Sequence, residues 1–143
     1  MELLKVIIAG IVGTLLMTTF SYALSKLKSK QFREPKLLNM ILRRSTSDRM
    51  NPSNNSVIGW VVHFSIGIIL MTLFYMIHLI FAFSITFISI FFYGILAGSL
   101  SILSWYLMFS ISPNPPEISV KEFYVQLLIA HLLFAAGAVI FMF

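Results

Sequence analysis

The sequence predicts an all-α, polytopic membrane protein: a bundle of four transmembrane helices with a short interfacial amphipathic helix in its first loop. Three observations carry that prediction. Of 143 residues, 59% are hydrophobic and only 10% charged, where a soluble domain carries roughly a quarter charged residues. No Asp, Glu, Lys or Arg occurs between Ser56 and Ser112. Eight of the ten basic residues crowd into one stretch, Lys26 to Arg49. A water-soluble fold this small leaves too much of itself outside to hide so much apolar surface, so lipid is the expected solvent. Residues 1–143 read as a single transmembrane domain.

The first helix is expected over 3–25. Its charge-free run, Val6–Leu24, is 19 residues long, about enough to cross a ~30 Å hydrocarbon core. That is too long for the apolar part of a signal peptide, and Glu2 and Lys5 leave the preceding segment nearly neutral. A basic loop follows over 26–56. The uncharged stretch beyond it would measure roughly 85 Å as one helix, nearly three bilayer thicknesses, so it must fold back. Helices over 57–80 and 87–110 fit, with a turn near Phe83–Thr86 that no Gly or Pro marks. Asn54-Asn55-Ser56 offers N-caps for the second helix, and Ser112-Pro113-Asn114-Pro115-Pro116 stops the third. A fourth helix, 120–142, opens on Ser119-Val-Lys-Glu122, the spacing of a capping box.

Charge asymmetry orients the bundle. Lys26, Lys28, Lys30, Arg33, Lys36, Arg43, Arg44 and Arg49 lie in the first loop and Lys121 in the other loop on that side. The positive-inside rule puts both loops in the cytoplasm and both termini outside. Tyr22, Trp60, Trp105, Tyr106 and Tyr124 then fall near the cytoplasmic interface, as an aromatic belt would.

Within the basic loop, Leu37, Leu38, Ile41 and Leu42 gather on a helical arc of about 140°, with Lys36, Asn39 and Arg43 opposite. Pro35 suits the start of such a helix, and Glu34 suits the positive end of its dipole. Two placements follow: in the interface, its cations on anionic lipid head groups, or folded back to cap the bundle. A docking surface for a partner is a third use. The pattern gives no support for nucleic acid beyond charge. Lys36, Arg43, Arg44 and Arg49 are the candidate anion-binding residues. With Asp48, Asn51, Asn114 and Glu117 they suggest a lipid-head-group site, Arg supplying forked donors.

Small residues mark the expected helix contacts. Gly10 and Gly13 lie on a hydroxyl-rich seam of the first helix with Thr14, Thr18 and Ser21, Gly94 and Gly98 on the third, and Ala135 to Ala138 on the fourth. Such residues let backbones approach closely where lipid supplies no hydrophobic drive. Gly94-x-x-x-Gly98 is also compatible with a homo-oligomer or a partner membrane protein.

With no charge expected inside any helix core, only histidines remain as ionisable groups there. His63 sits two turns into the second helix, between Gly59 and Gly67; His131 lies mid-way along the fourth; His78 is near an interface. His63 and His131 facing one another could ligate haem, form part of a proton or substrate path, or bond hydroxyls such as Thr14, Thr18 or Ser101. No metal site is expected. The chain has no cysteine, which excludes disulfides and thiolate chemistry, and no catalytic order of side chains is recognisable.

The segments Phe32-Arg-Glu-Pro-Lys-Leu-Leu-Asn39, Gly59-Trp-Val-Val-His63, Pro113-Asn-Pro-Pro116 and Ala130-His131 together resemble small four-helix inner-membrane proteins of bacteria with no assigned function. The resemblance implies a multi-pass protein of the bacterial inner membrane and brings no catalytic residue with it. A carboxylate in helix one, expected of small multidrug exporters, is missing. The function expected is a non-catalytic, membrane-embedded binding or accessory subunit. The alternatives are a bis-histidine haem protein for electron transfer and a small lipid-head-group enzyme or transporter.

Overall fold

The computed structural model describes residues 2–44 and 51–142, and among them finds five helices and no strand. They are α1 (Glu2–Lys28), α2 (Glu34–Arg43), α3 (Val57–Phe81), α4 (Phe87–Ile111) and α5 (Val120–Val139). All but α2 are long and apolar enough to cross a membrane. Their ends fall within three residues of the sequence expectation, α5 stopping earlier than expected.

Local chemistry explains the boundaries. Ser56, the last of the three candidate caps, accepts from the Ile58 N–H. Ser112 is held extended by the proline after it and closes α4. The α3–α4 turn is built without glycine: Ala82 takes a left-handed conformation (φ 49°), and Thr86 and Ser89 form a reciprocal capping box. His78 Nδ1 donates to the Phe83 carbonyl at 2.8 Å and braces that turn. The box expected at Ser119 does not form. Glu122 instead reaches Lys28 (3.3 Å) and Lys30, tying the start of α5 to the end of α1.

Glycines decide which helices touch closely. A Cβ on Gly10 would meet Ile68 Cα at 2.9 Å, so α1 and α3 are in near-backbone contact. Gly13 holds α1 against Phe134 of α5, and Gly94 and Gly98 hold α4 against Leu132 and Leu128 of α5. The Gly94/Gly98 face is thus occupied within the chain. Among the four long helices the close pairs are α1 with α3, α1 with α5, and α4 with α5. No glycine draws α3 and α4 together. Their side chains meet toward the turn, where the Tyr93 hydroxyl donates to the Leu70 carbonyl, and a cavity is left lower down.

The loop helix α2 is a second departure. Its Leu37 and Leu38 do not face outward but join Phe32, Trp105, Phe123 and Leu127 in a buried cluster. Asn39 accepts from the Gly59 N–H (2.8 Å) and donates to the carbonyls of Ser56 (2.7 Å) and Asn54 (3.3 Å). It thereby caps the first turn of α3 from another helix. Gly59 is required for that approach, since a Cβ there would strike the Pro35 carbonyl. The apolar arc of α2 is therefore spent on the bundle, the fold-back placement. Trp105 is likewise in this core, 4% exposed, and not in an outer aromatic belt.

Candidate functional site

The gap between α3 and α4 is a cavity of about 220 Å³, to which all five helices contribute. α1 supplies Thr14, α2 Glu34, α3 His63, α4 Ser101, Ser104 and Trp105, and α5 His131. Apolar side chains such as Met17, Leu70, Leu100 and Leu127 complete the wall. The expectation that only histidines supply ionisable groups inside the bundle is corrected here: α2 carries a carboxyl in with it. Glu34 is 1% exposed.

Counting protons fixes both imidazoles. Thr18 Oγ1 lies 2.5 Å from the Thr14 carbonyl and 2.8 Å from His63 Nε2. A carbonyl only accepts, so the single Thr18 hydroxyl proton goes there, and His63 Nε2–H is the donor to Thr18. His131 Nδ1 lies 2.8 Å from the carbonyl of Leu127, one turn back on its own helix, and must donate to it. Each ring keeps one lone pair, on His63 Nδ1 and His131 Nε2, for which no partner exists among the described residues.

Glu34 sits in a three-membered ring of contacts. Ser21 Oγ is 2.6 Å from Glu34 Oε1 and 3.0 Å from Gln126 Oε1, and Gln126 Nε2 is 3.2 Å from Glu34 Oε1. Ser21 has one proton for two oxygens. With an ionised Glu34, one of these short oxygen–oxygen contacts has no hydrogen in it, whichever way the Gln126 amide is turned. With a protonated Glu34, every contact holds one. Burial acts in the same direction: it pushes the Glu34 carboxyl up to about 7, partly offset by the hydrogen bonds from Ser21, the backbone and Gln126. Glu34 Oε2 is buried and has no partner among the described residues.

The histidines expected to face one another do line one cavity. They do not fit haem. A 220 Å³ space exceeds the ~150 Å³ that admits benzene but falls short of the ~300–1,000 Å³ of drug-sized pockets, and a porphyrin needs more. His63 Nε2 is also committed to Thr18. No group of three or more His, Asp or Glu close enough to hold a metal ion exists among the described residues.

Three of the four candidate anion-binding residues, Lys36, Arg43 and Arg44, are among the described residues. Arg44 donates to the Asn114 carbonyl (3.2 Å), Arg43 is exposed and Lys36 half-buried, while Asp48 and Arg49 lie outside the described residues. A different basic surface appears: a wide groove of about 1,000 Å³ beside α1, lined by Tyr22, Lys26, Lys30, Arg33 and Trp60. The Arg33 guanidinium lies 5.7 Å from the Tyr22 ring centre.

Sequence reasoning missed Glu34 and Gln126. A signal existed in Gln126, a polar amide well inside an apolar helix, which needs a partner wherever it points. Comparison with family models, curated proteins and solved structures finds no match. The functional argument therefore rests on the geometry.

Proposed function

We propose that this chain is a multi-pass protein of the bacterial inner membrane that binds a small molecule in the cavity between α3 and α4. The observation that carries the reading is a buried carboxyl oxygen without a partner among the described residues, Oε2 of Glu34, a residue that lines that cavity. A bare buried polar atom costs free energy, on the order of 1–3 kcal/mol, and a bound molecule relieves that cost. Large apolar side chains on the outer faces, such as Ile69, Leu73, Phe92 and Leu96, support lipid as the surrounding medium, because soluble proteins rarely leave such a surface uncovered. The basic residues at the α1–α2 end support a cytoplasmic placement of both loops, with the termini outside.

Native mass spectrometry of protein released from micelles tests the binding reading. Ser101→Phe, a half-buried lining position, fills the cavity. A small adduct present on the wild type and absent from the variant is expected; identical adducts, or none on either, contradict the reading. The groove lined by Lys26, Lys30 and Arg33 favours a second role, holding an anionic lipid head group at ~1 kcal/mol per cation. Replacing Lys26 and Arg33 with Gln should lower the amount of anionic lipid that co-purifies, and unchanged lipid content opposes that role.

A further inference from the structure

We propose that the cavity is an exchange site, in which Glu34 holds a proton while the site is empty and releases it when a small guanidinium-type cation binds. This rests on the cavity being a binding site, and it adds what binds and what leaves.

The lining specifies the ligand by what it lacks. Among the residues that line the cavity, proton counting leaves three atoms that can only accept: Glu34 Oε2, His63 Nδ1 and His131 Nε2. Thr14 and Ser104 spend their hydroxyl protons on the carbonyls of Gly10 (2.7 Å) and Leu100 (2.8 Å), so their oxygens too can only accept. The donors on offer are the Trp105 indole N–H and the Ser101 hydroxyl. A wall so rich in acceptors selects a ligand rich in donors. The three acceptors come from α2, α3 and α5 and are not gathered closely enough for one metal ion. The ligand must therefore present N–H groups in several directions. A guanidinium does so in one plane and is weakly hydrated for a cation. The cavity volume admits it with a small substituent, and the apolar wall suits that substituent.

The charge follows from Glu34. No cation pairs with its carboxyl among the described residues. The titratable or charged groups around it are Tyr22 on α1 beside Ser21, His63 on α3, His131 on α5, and Arg33 next in sequence. Arg33 turns to Gln31 (3.0 Å) and the Tyr22 ring. α4 contributes Ser101, Ser104 and Trp105 to the wall. An ionised Glu34 would be a lone negative charge in this setting, and the Ser21–Gln126 ring is complete only with the proton present. A cation at Oε2 supplies the missing charge. The step balances: the Glu34 O–H bond breaks, its proton passes to bulk water, and one monovalent cation takes its place, leaving the net charge of the site unchanged.

The test uses the purified full-length chain in detergent with guanidinium chloride at millimolar concentration, and urea as the neutral molecule of the same shape. Calorimetric titration at pH 6 in two buffers of different ionisation enthalpy counts protons. The expected result is about one proton released per guanidinium, with Kd weakening about tenfold per pH unit as the pH falls below 6, and no such response to urea. Glu34→Gln keeps a hydrogen in every contact of the ring once the Gln126 amide turns over; at pH 6 it should melt no lower than the wild type, release no proton and bind guanidinium at least tenfold more weakly. The wild-type proton count needs no variant. Urea binding as tightly as guanidinium, or guanidinium binding without proton release, overturns the exchange while leaving a binding cavity. Binding of neither also overturns the exchange, and the adduct experiment on Ser101→Phe then judges the cavity separately.

Discussion

Replacing Glu34 by Gln should change how stability depends on pH, in a direction and by an amount the structure supplies. The carboxyl is raised from 4.5 to about 7 by burial. Below pH 4.5 folded and unfolded chains both hold the proton, and the stabilisation from the neutral form is complete. Between pH 4.5 and 7 the unfolded chain loses its proton while the folded chain keeps it, so stability falls as pH rises. Above 7 both are ionised and the loss levels off. The full change is about 3 kcal/mol, from 1.36 kcal/mol per unit. Glutamine cannot ionise, and with the Gln126 amide turned over each contact of the ring still holds a hydrogen, so the variant lacks this loss. Unfolding free energies of the two proteins in matched mixed micelles, at pH 4.5 and pH 8, isolate the term, because all other titrations cancel in the difference. The variant should gain about 3 kcal/mol on the wild type across that interval. Parallel pH profiles would refute a proton held in the fold at Glu34.

Other perturbations probe the parts that build the site. Asn39→Ala removes the acceptor for the Gly59 N–H and two donated bonds; a loss of roughly 1–3 kcal/mol is expected, with faster proteolysis in α2, and an unaltered melting curve would contradict its capping role. Thr18→Val deletes the His63 partner at a cost of about 1 kcal/mol, read from the same unfolding measurement. Gly98→Leu strikes Leu128 and His131 and should lower stability by 1–3 kcal/mol or more, as overpacking does, with no change in oligomeric state by size-exclusion chromatography. Dissociation of an oligomer with monomer stability intact would show that this face works between chains. The absence of cysteine makes the chain a ready background for topology: an impermeant maleimide should label Ser84→Cys in spheroplasts and Glu117→Cys only after lysis, and the reverse pattern would invert the orientation.

The long helices were legible because length, hydropathy and helix-stopping prolines are local properties. The α3–α4 turn lacked a signature because an alanine, Ala82, takes the left-handed position usually given to glycine, at roughly 1–2 kcal/mol. The placement of α2 was not legible for a deeper reason. A ten-residue amphipathic helix presents the same apolar arc to lipid and to protein, and only the three-dimensional arrangement shows that Phe123 and Leu127 receive Leu37 and Leu38. Glu34 went unnoticed with it. As the first residue of the helix in a basic loop it reads as a solvated charge favouring the helix dipole; its burial is evident only once Ser21 and Gln126, 105 residues apart in sequence, are seen on either side of it. The histidines were legible as interior groups, and Thr18 was among the expected partners of His63. The bond from His131 to its own helix was not, since any imidazole has both choices.

The most direct test of a proton-bearing carboxyl in this cavity is an infrared difference spectrum of wild type minus Glu34→Gln at pH 6, in water and in heavy water. A protonated-carboxyl C=O band that shifts on deuteration, belongs to Glu34, and disappears on adding guanidinium is the predicted result. A spectrum in which Glu34 contributes only carboxylate bands at pH 6 would contradict it.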